Sequence, residues 1–146
     1  MYWKSTLFYT ASLLILSGCV GPSPTPKKGT IIDSTLPMVE LTRDGVYVDM
    51  EAIAFEWKSV NDPRVKGVYI YKAVPNQEKA SSELKYYKTI ENRFTTHYTD
   101  VEVAPDTKYS YAFKTFSNDA EGQQSMATDV KSLPVLDSVS WLYSET

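Results

Sequence analysis

The chain has 146 residues, and its 15 Lys and Arg against 18 Asp and Glu give a net charge of −3 at pH 7. A mildly acidic chain without a basic run argues against a nucleic-acid partner, and the length suits one domain with its own core. Cys19 is the only cysteine, so no intramolecular disulfide can form and the fold must rest on its hydrophobic core.

The first 19 residues have the pattern of an export signal. Lys4 precedes a short apolar run that begins at Leu7 and ends in Leu-Ser-Gly-Cys at residues 16–19. A run of about ten residues is too short to span a bilayer core of ~30 Å, and small residues before a cleavage point are typical of secretory signals. An ordinary secretory signal with an incidental cysteine is the alternative, but a single free thiol is a liability on an exported protein.

Leu-Ser-Gly-Cys resembles the lipobox of bacterial lipoproteins. The resemblance implies that residues 1–18 are a signal peptide, that cleavage occurs before Cys19, and that its thiol carries a covalent lipid. Two or three acyl chains give a stable membrane anchor, whereas one chain gives only marginal binding. In the same family, a residue other than Asp after the cysteine favours the outer membrane, and Val20 occupies that position.

Residues 19–35 are predicted to be a tether between the lipid and the first strand. Prolines at positions 22, 24 and 26 and glycines at 21 and 29 favour extended chain and cannot pack a core. At ~3.1 Å per residue, the segment from Val20 to Thr30 reaches about 35 Å. A spacer this short suits a Gram-negative envelope.

From Leu36 the apolar residues recur with the period of two that is typical of β-strands. Strands are predicted at 39–42, 53–58, 67–73, 84–90, 93–99, 107–116 and 125–132. Turn signals separate them, including Arg-Asp-Gly at 43–45, Asn-Asp-Pro at 61–63 and the polar segment 118–124. Seven short strands and no helical spacing predict an all-β, immunoglobulin-like seven-stranded sandwich over residues 36–132.

Three features of this region, in order, resemble a fibronectin type III domain. Trp57 stands where that family has its strand-B tryptophan, and residues 103–109 are similar to Leu-x-Pro-x-Thr-x-Tyr, with Pro105 and Tyr109 in register. Residues 116–122 are similar to the segment between strands F and G. The resemblance implies type III topology and a tyrosine corner at Tyr109. The expected core consists of Ile53, Phe55, Trp57, Val68, Ile70, Tyr98, Tyr109, Tyr111 and Phe113.

The last 14 residues allow two interpretations. Leu-Pro-Val-Leu at 133–136 repeats the pattern of Leu-Pro-Met-Val at 36–39 after 97 residues, which is about one type III domain. Residues 133–146 are therefore either a tail or the start of a truncated second module.

Catalysis and metal binding are not expected from this sequence. His97 is the only histidine, and no cysteine remains to act with it. Asp44 with Asp49, or the acidic residues at 100, 102 and 106, could suggest calcium, but they lack an EF-hand pattern and fit turns better. We therefore expect no enzyme, no metal and no cofactor other than the covalent lipid.

Tyr69, Tyr71 and Tyr87 form the candidate binding patch. Alternation along the strand at 67–73 should turn Tyr69 and Tyr71 away from the core, beside Tyr86 or Tyr87, and exposed aromatic clusters mark interaction sites. The alternative is cross-strand pairing that only stabilises the sheet.

Phe-Glu-Trp-Lys at 55–58 and the segment 65–71 are similar to lipoproteins of Campylobacter-like bacteria that have tandem type III modules. This resemblance implies a non-enzymatic interaction module, anchored in the outer membrane through its lipid, that adheres to a host matrix or envelope protein. Two alternatives stay open: a structural spacer or assembly component facing the periplasm, and a carbohydrate-binding accessory module.

Overall fold

The structure is a computed structural model that describes residues 21–74 and 83–136. In these residues the chain forms nine strands, which we number in chain order: β1 (Ile31–Ile32), β2 (Leu41–Val48), β3 (Ile53–Trp57), β4 (Gly67–Ala73), β5 (Lys85–Ile90), β6 (His97–Asp100), β7 (Lys108–Phe116), β8 (Ala120–Glu121) and β9 (Thr128–Lys131).

The strands form the two sheets of an all-β sandwich. The larger sheet has the order β1-β8-β7-β4-β5, with β9 also paired to β7, and the smaller has the order β2-β3-β6. β8 and β9 pair with the two ends of β7 and act as one interrupted edge strand. The predicted sandwich is therefore confirmed, with β1 added at an edge.

The core lies between the sheets and contains all nine residues expected from the sequence. Trp57 is 1% exposed, and its ring lies 5.7 Å from that of Phe113, centroid to centroid. The indole N–H of Trp57 donates to the carbonyl oxygen of Thr95 at 3.0 Å. Trp57 belongs to the smaller sheet, and its ring packs against the larger sheet through Phe113. Its N–H holds the loop before β6 in place through Thr95.

The corner between β6 and β7 is fixed by Tyr109. Its hydroxyl oxygen accepts a hydrogen bond from the backbone N–H of Ala104 at 2.8 Å, which is the contact of a tyrosine corner. Asp106 follows Pro105 in the turn with a φ of +52°, a conformation that Asp adopts more readily than most residues. The chain therefore crosses between the sheets at a defined angle.

Two local predictions are wrong. Residues 43–45 are not a turn, because β2 continues through them and its pairing with β3 shifts between Leu41 and Val46. Gly45 is needed there because a Cβ would lie 2.3 Å from the carbonyl oxygen of Glu56. Strand β6 begins at His97 rather than residue 93, since the backbone turns between Asn92 and Thr95.

The tether prediction also has to be corrected, because residues 24–35 contact the sandwich. We call this segment the strap. The hydroxyl of Thr89 donates to the carbonyl oxygen of Pro24 at 2.6 Å, and β1 pairs in parallel with β8. The backbone N–H of Asp33 then donates to the carbonyl oxygen of Glu121 at 2.8 Å. The strap thus runs from β5 to β8 across one end of the larger sheet.

Arg64 fixes the end of the strap to the loop between β3 and β4. Its guanidinium donates to the carboxylates of Asp62 and Asp33, at 2.7 and 3.3 Å, and to the carbonyl oxygen of Thr35 at 3.0 Å. The next residue, Leu36, is buried with Val60 and Val65 in a second apolar cluster. The folded unit therefore begins before residue 36.

Candidate functional site

Four aromatic rings pack together on the outer face of the larger sheet, away from the core. Tyr69 and Tyr71 alternate along β4 with the core residues Val68 and Ile70. We call Tyr69, Tyr71, Tyr86 and Phe116 the outer aromatic cluster. The ring of Tyr69 stacks on Phe116 at 4.3 Å, and Tyr86 meets Tyr69 and Tyr71 edge to face at 6.0 and 6.4 Å, centroid to centroid.

The cluster is open at one side only. Tyr69 is 6% exposed, because Phe116 and Tyr86 enclose its ring, and both Tyr69 and Phe116 face the groove that the strap borders. Tyr71 is half-buried and Tyr86 is 37% exposed. The prediction of an exposed Tyr69 is therefore wrong, and the accessible surface belongs to Tyr71 and Tyr86.

Tyr87 does not belong to this surface, which corrects the predicted patch. The pairing of β4 with β5 shifts between Ile70 and Tyr71, so that Tyr86 lies opposite Tyr71. Tyr87 packs against the core cluster instead. Its hydroxyl donates to the carboxylates of Asp100 and Glu102 at 2.9 and 3.1 Å.

Burial and a nearby carboxylate keep the phenol of Tyr71 protonated. Burial raises the pKa of Tyr71 to about 12, and the carboxylate of Glu121 acts in the same direction. Lys114 pairs with Glu121 at 3.3 Å, and its Nζ lies 5.2 Å from the centroid of the Tyr71 ring. At neutral pH Tyr71 can therefore stack against a ligand and donate a hydrogen bond, but its phenol supplies neither a nucleophile nor a base.

A buried charged network joins the two sheets, and it was not predicted from the sequence, although Lys72 alternates in phase with the core residues Val68 and Ile70 of β4. Lys72 of β4 and Asp100 of β6 form an ion pair at 2.7 Å, with side chains 8% and 0% exposed. The Nζ of Lys72 also donates to the carbonyl oxygen of Glu102 at 2.7 Å and lies 4.7 Å from the ring centroid of Tyr87.

Every oxygen of the Asp100 carboxylate has partners. Oδ2 accepts from the hydroxyl of Tyr111 at 2.7 Å, and Oδ1 accepts from Tyr87 and from the backbone N–H of Glu102 at 2.9 Å each. Burial alone raises the pKa of Asp100, but the hydrogen bonds from Lys72 and Tyr111 outweigh it, so the pKa lies below its ordinary value. Burial, reinforced by Asp100, raises the pKa of Tyr111. This arrangement stabilises an ion pair and leaves no free acid or base.

The other residues considered for chemistry lie apart. His97 is exposed on β6, opposite Glu56 of β3. Asp100, considered for calcium, is occupied by Lys72, and residues 21–74 and 83–136 contain no group of three or more His, Cys, Asp and Glu side chains that could hold a metal ion.

Cys19, the signal peptide and residues 137–146 lie outside the described residues. Within the described part of the chain, no helix is long and apolar enough to cross a membrane.

Comparisons with known proteins identify the fold. No protein-family model and no curated protein match the sequence. Among solved structures, the third fibronectin III domain of human KIAA0343 protein matches with a TM-score of 0.54 and 15% identity, over 84% of this chain and 99% of that one. The FN1–FN3 domains of chicken CNTN1 match with a TM-score of 0.51 and 18% identity, over 66% of this chain but only 33% of that one.

An enzyme also contains this fold. The beta-1,2-glucanase from Parabacteroides distasonis matches with a TM-score of 0.56 and 15% identity, over 70% of this chain and 14% of the glucanase. The likeness therefore covers a small part of that enzyme, and at this identity it concerns the fold alone. Together with the two sheets and the tyrosine corner, these matches show that the chain has the fibronectin type III fold.

Proposed function

We propose that this chain is a lipid-anchored, non-enzymatic interaction module of a bacterial envelope. Cys19 holds it to the outer membrane, and Tyr71 and Tyr86 bind a protein ligand, most simply a host matrix protein. The observation that carries the proposal is the open side of the outer aromatic cluster, on a fold that serves as a module in larger proteins.

The geometry of the two rings supports binding. Tyr86 is held by a 2.8 Å hydrogen bond between its hydroxyl and that of Thr89, and Tyr71 is backed by the Nζ of Lys114. Rings that are already ordered lose little conformational entropy when a ligand packs on them. Tyr residues of this kind are enriched among the residues that dominate binding energy at protein interfaces.

Replacing both Tyr71 and Tyr86 with alanine should weaken attachment to the ligand at least about tenfold, because the pair supplies the only proposed stacking surface. Attachment of cells to a panel of immobilised matrix proteins measures the effect. The matched control is Tyr47→Ala, which removes a 55%-exposed ring from β2 of the smaller sheet and should leave attachment unchanged. Equal attachment of the double variant and the control would refute the patch, provided circular dichroism shows both to be folded.

Replacing Cys19 with serine should abolish incorporation of a palmitate analogue and move the protein from the membrane fraction to the soluble fraction. The reason is that two or three acyl chains supply ~0.8 kcal/mol per buried methylene, and serine accepts none of them. Mass spectrometry of the wild-type protein is the control and should show a mature chain that starts at an acylated Cys19. An uncut or unmodified chain would contradict the anchor.

Two other functions are separated from this one by direct tests. A spacer or assembly component facing the periplasm would survive protease added to intact cells, whereas the adhesive module should be removed. A carbohydrate-binding accessory module is favoured by the exposed Tyr rings and by the glucanase that contains the fold. Binding to a glycan array that is lost in the Tyr71/Tyr86 double variant would support that alternative.

A further inference from the structure

The strap determines where the chain leaves the sandwich. Its first contact, between Pro24 and Thr89, lies near the end of β5. The pair of Val68 with Ile90 puts the end of β5 beside the start of β4. The pair of Gly67 with Phe116 puts the end of β7 beside the start of β4 on its other side. We call this the anchor end. The far end holds Val101 and the segment after β9, where the backbone N–H of Leu133 donates to the carbonyl oxygen of Asp49.

The docked strap leaves little free chain before it. Five residue steps separate Cys19 from Pro24, which at no more than ~3.6 Å per step gives a reach of about 18 Å. A free tether up to Leu36 would reach about 60 Å by the same measure. If Cys19 is acylated, as the proposed function holds, the end of β5 therefore cannot move far from the headgroups.

The anchor end also has the charge that suits an anionic lipid surface. Lys27, Lys28 and Lys66 are exposed and line the groove between the strap and the end of the sheet. Two carboxylates share this groove: Asp119 is exposed, whereas Glu121 is buried and paired with Lys114. The groove is thus net positive in a chain that is net negative. Clustered lysines beside a lipid anchor strengthen its attachment to anionic bilayers.

We propose that the anchor end is a membrane-contact surface for anionic phospholipid headgroups, and that the module stands on the bilayer with its far end outward. The inference rests on the proposed lipid anchor. In this orientation the Tyr71 and Tyr86 surface lies on the flank of the module, and the segment after β9 leads away from the lipid.

Site-specific labels test the orientation on the full-length acylated protein, reconstituted in vesicles of phosphatidylcholine with 30% phosphatidylglycerol, a composition chosen at roughly bacterial charge density. One variant is Glu91→Cys, directly after β5, and the other is Val101→Cys, 72% exposed at the far end. Acylation blocks Cys19, so a thiol-reactive fluorophore marks the new cysteine alone. A quencher attached to the lipid headgroup should quench the Glu91 label about threefold or more beyond the Val101 label.

The mass of each labelled protein separates the two proposals. Equal quenching at both positions on a protein whose acyl mass is present would overturn the membrane-contact surface and leave the anchor standing. A protein without the acyl mass, labelled at Cys19 as well, would overturn the anchor itself.

Charge-reversal pairs test the role of the lysines. The Lys27→Glu, Lys28→Glu pair should reduce the difference in quenching between the two labels at least twofold and remove its dependence on phosphatidylglycerol. The control pair is Lys85→Glu with Lys108→Glu, which reverses two exposed lysines at the far end and should change neither. Equal effects of the two pairs would show that the anchor-end lysines make no headgroup contact.

Discussion

Replacing Lys72 with methionine is expected to lower the free energy of unfolding by about 3–5 kcal/mol, because it leaves the Asp100 carboxylate buried without its counter-charge. The side chains of both partners are almost fully enclosed, and the pair joins β4 of one sheet to β6 of the other. Urea denaturation followed by far-ultraviolet circular dichroism measures the change. Unchanged stability would mean that the pair does not form in the folded protein.

Lys88→Met is the matched control for this variant. Lys88 is exposed on β5, and its Nζ also lies over an aromatic ring, 5.7 Å from the centroid of Tyr98. The same chemical change at an exposed site should stay within about 0.5 kcal/mol of the wild type. Combining Lys72→Met with Asp100→Asn should recover part of the loss, since no buried charge remains and the amide oxygen still accepts from one of the two Tyr hydroxyls.

Acid should remove the contribution of the Lys72–Asp100 network to the free energy of unfolding. The pKa of Asp100 lies below its ordinary value of 3.8 in the folded protein and returns to it on unfolding. Its stabilisation is therefore complete above the unfolded pKa and is lost as the pH falls through the lower, folded pKa. The free energy of unfolding should drop more steeply below about pH 4 in the wild type than in Asp100→Asn. Urea denaturation at pH 7 and pH 3 measures this drop for both proteins. An equal drop in the wild type and in Asp100→Asn would contradict this assignment.

Replacing Trp57 with alanine is expected to cost about 3–5 kcal/mol, from the lost transfer energy and the cavity that remains in the core. Small domains have about 5–15 kcal/mol in total, so this loss is a large part of the stability and should lower the melting temperature by roughly ten degrees or more. Trp57 packs against the ring of Phe113 on β7 and holds the loop before β6 through Thr95, so its removal leaves a cavity beside two separate parts of the chain. Thermal denaturation followed by circular dichroism measures the loss.

Trp57→Phe is the milder variant at the same position. It keeps an aromatic ring beside Phe113 but loses part of the indole volume and the N–H that donates to Thr95, so its cost should be clearly smaller than that of alanine. An alanine variant that melts at the wild-type temperature would show that residue 57 is not in the core.

The sandwich could be predicted because its signals are local. The alternation over residues 53–58 predicts a strand, and β3 begins as expected at Ile53 and ends one residue earlier, at Trp57. The predicted strand 67–73 likewise matches β4. Alternation fixes which side chains face inward, and the nine residues expected in the core all lie in it.

The errors arose where a long-range contact overrides a local signal. The prolines of the strap favour extended chain, but the hydroxyl of Thr89, 65 positions after Pro24, provides a docking site that no local pattern shows. Gly45 suggested a turn, whereas the close carbonyl oxygen of Glu56 explains it within a continuous strand. A shift in pairing between β4 and β5 placed Tyr86, not Tyr87, beside Tyr71.

The network around Lys72 was missed for a related reason. Alternation puts Lys72 on the core-facing side of β4 with Val68 and Ile70, but it does not show that the smaller sheet brings a carboxylate, Asp100 at the end of β6, over it. The contacts of Asp100 with Tyr87 on β5 and Tyr111 on β7, the two strands that flank β4, are visible only once the sheets are stacked.

The strap also decides how a mechanical load would enter the protein. If a ligand pulls on the module while the lipid resists, tension reaches Pro24 first, then the two residue pairs between β1 and β8, and then the Arg64 contacts. These bonds would part in sequence, whereas the core strands carry their load only afterwards. Peeling the twelve residues of the strap would release about 40 Å of slack, so the attachment could yield under force while the sandwich stays folded.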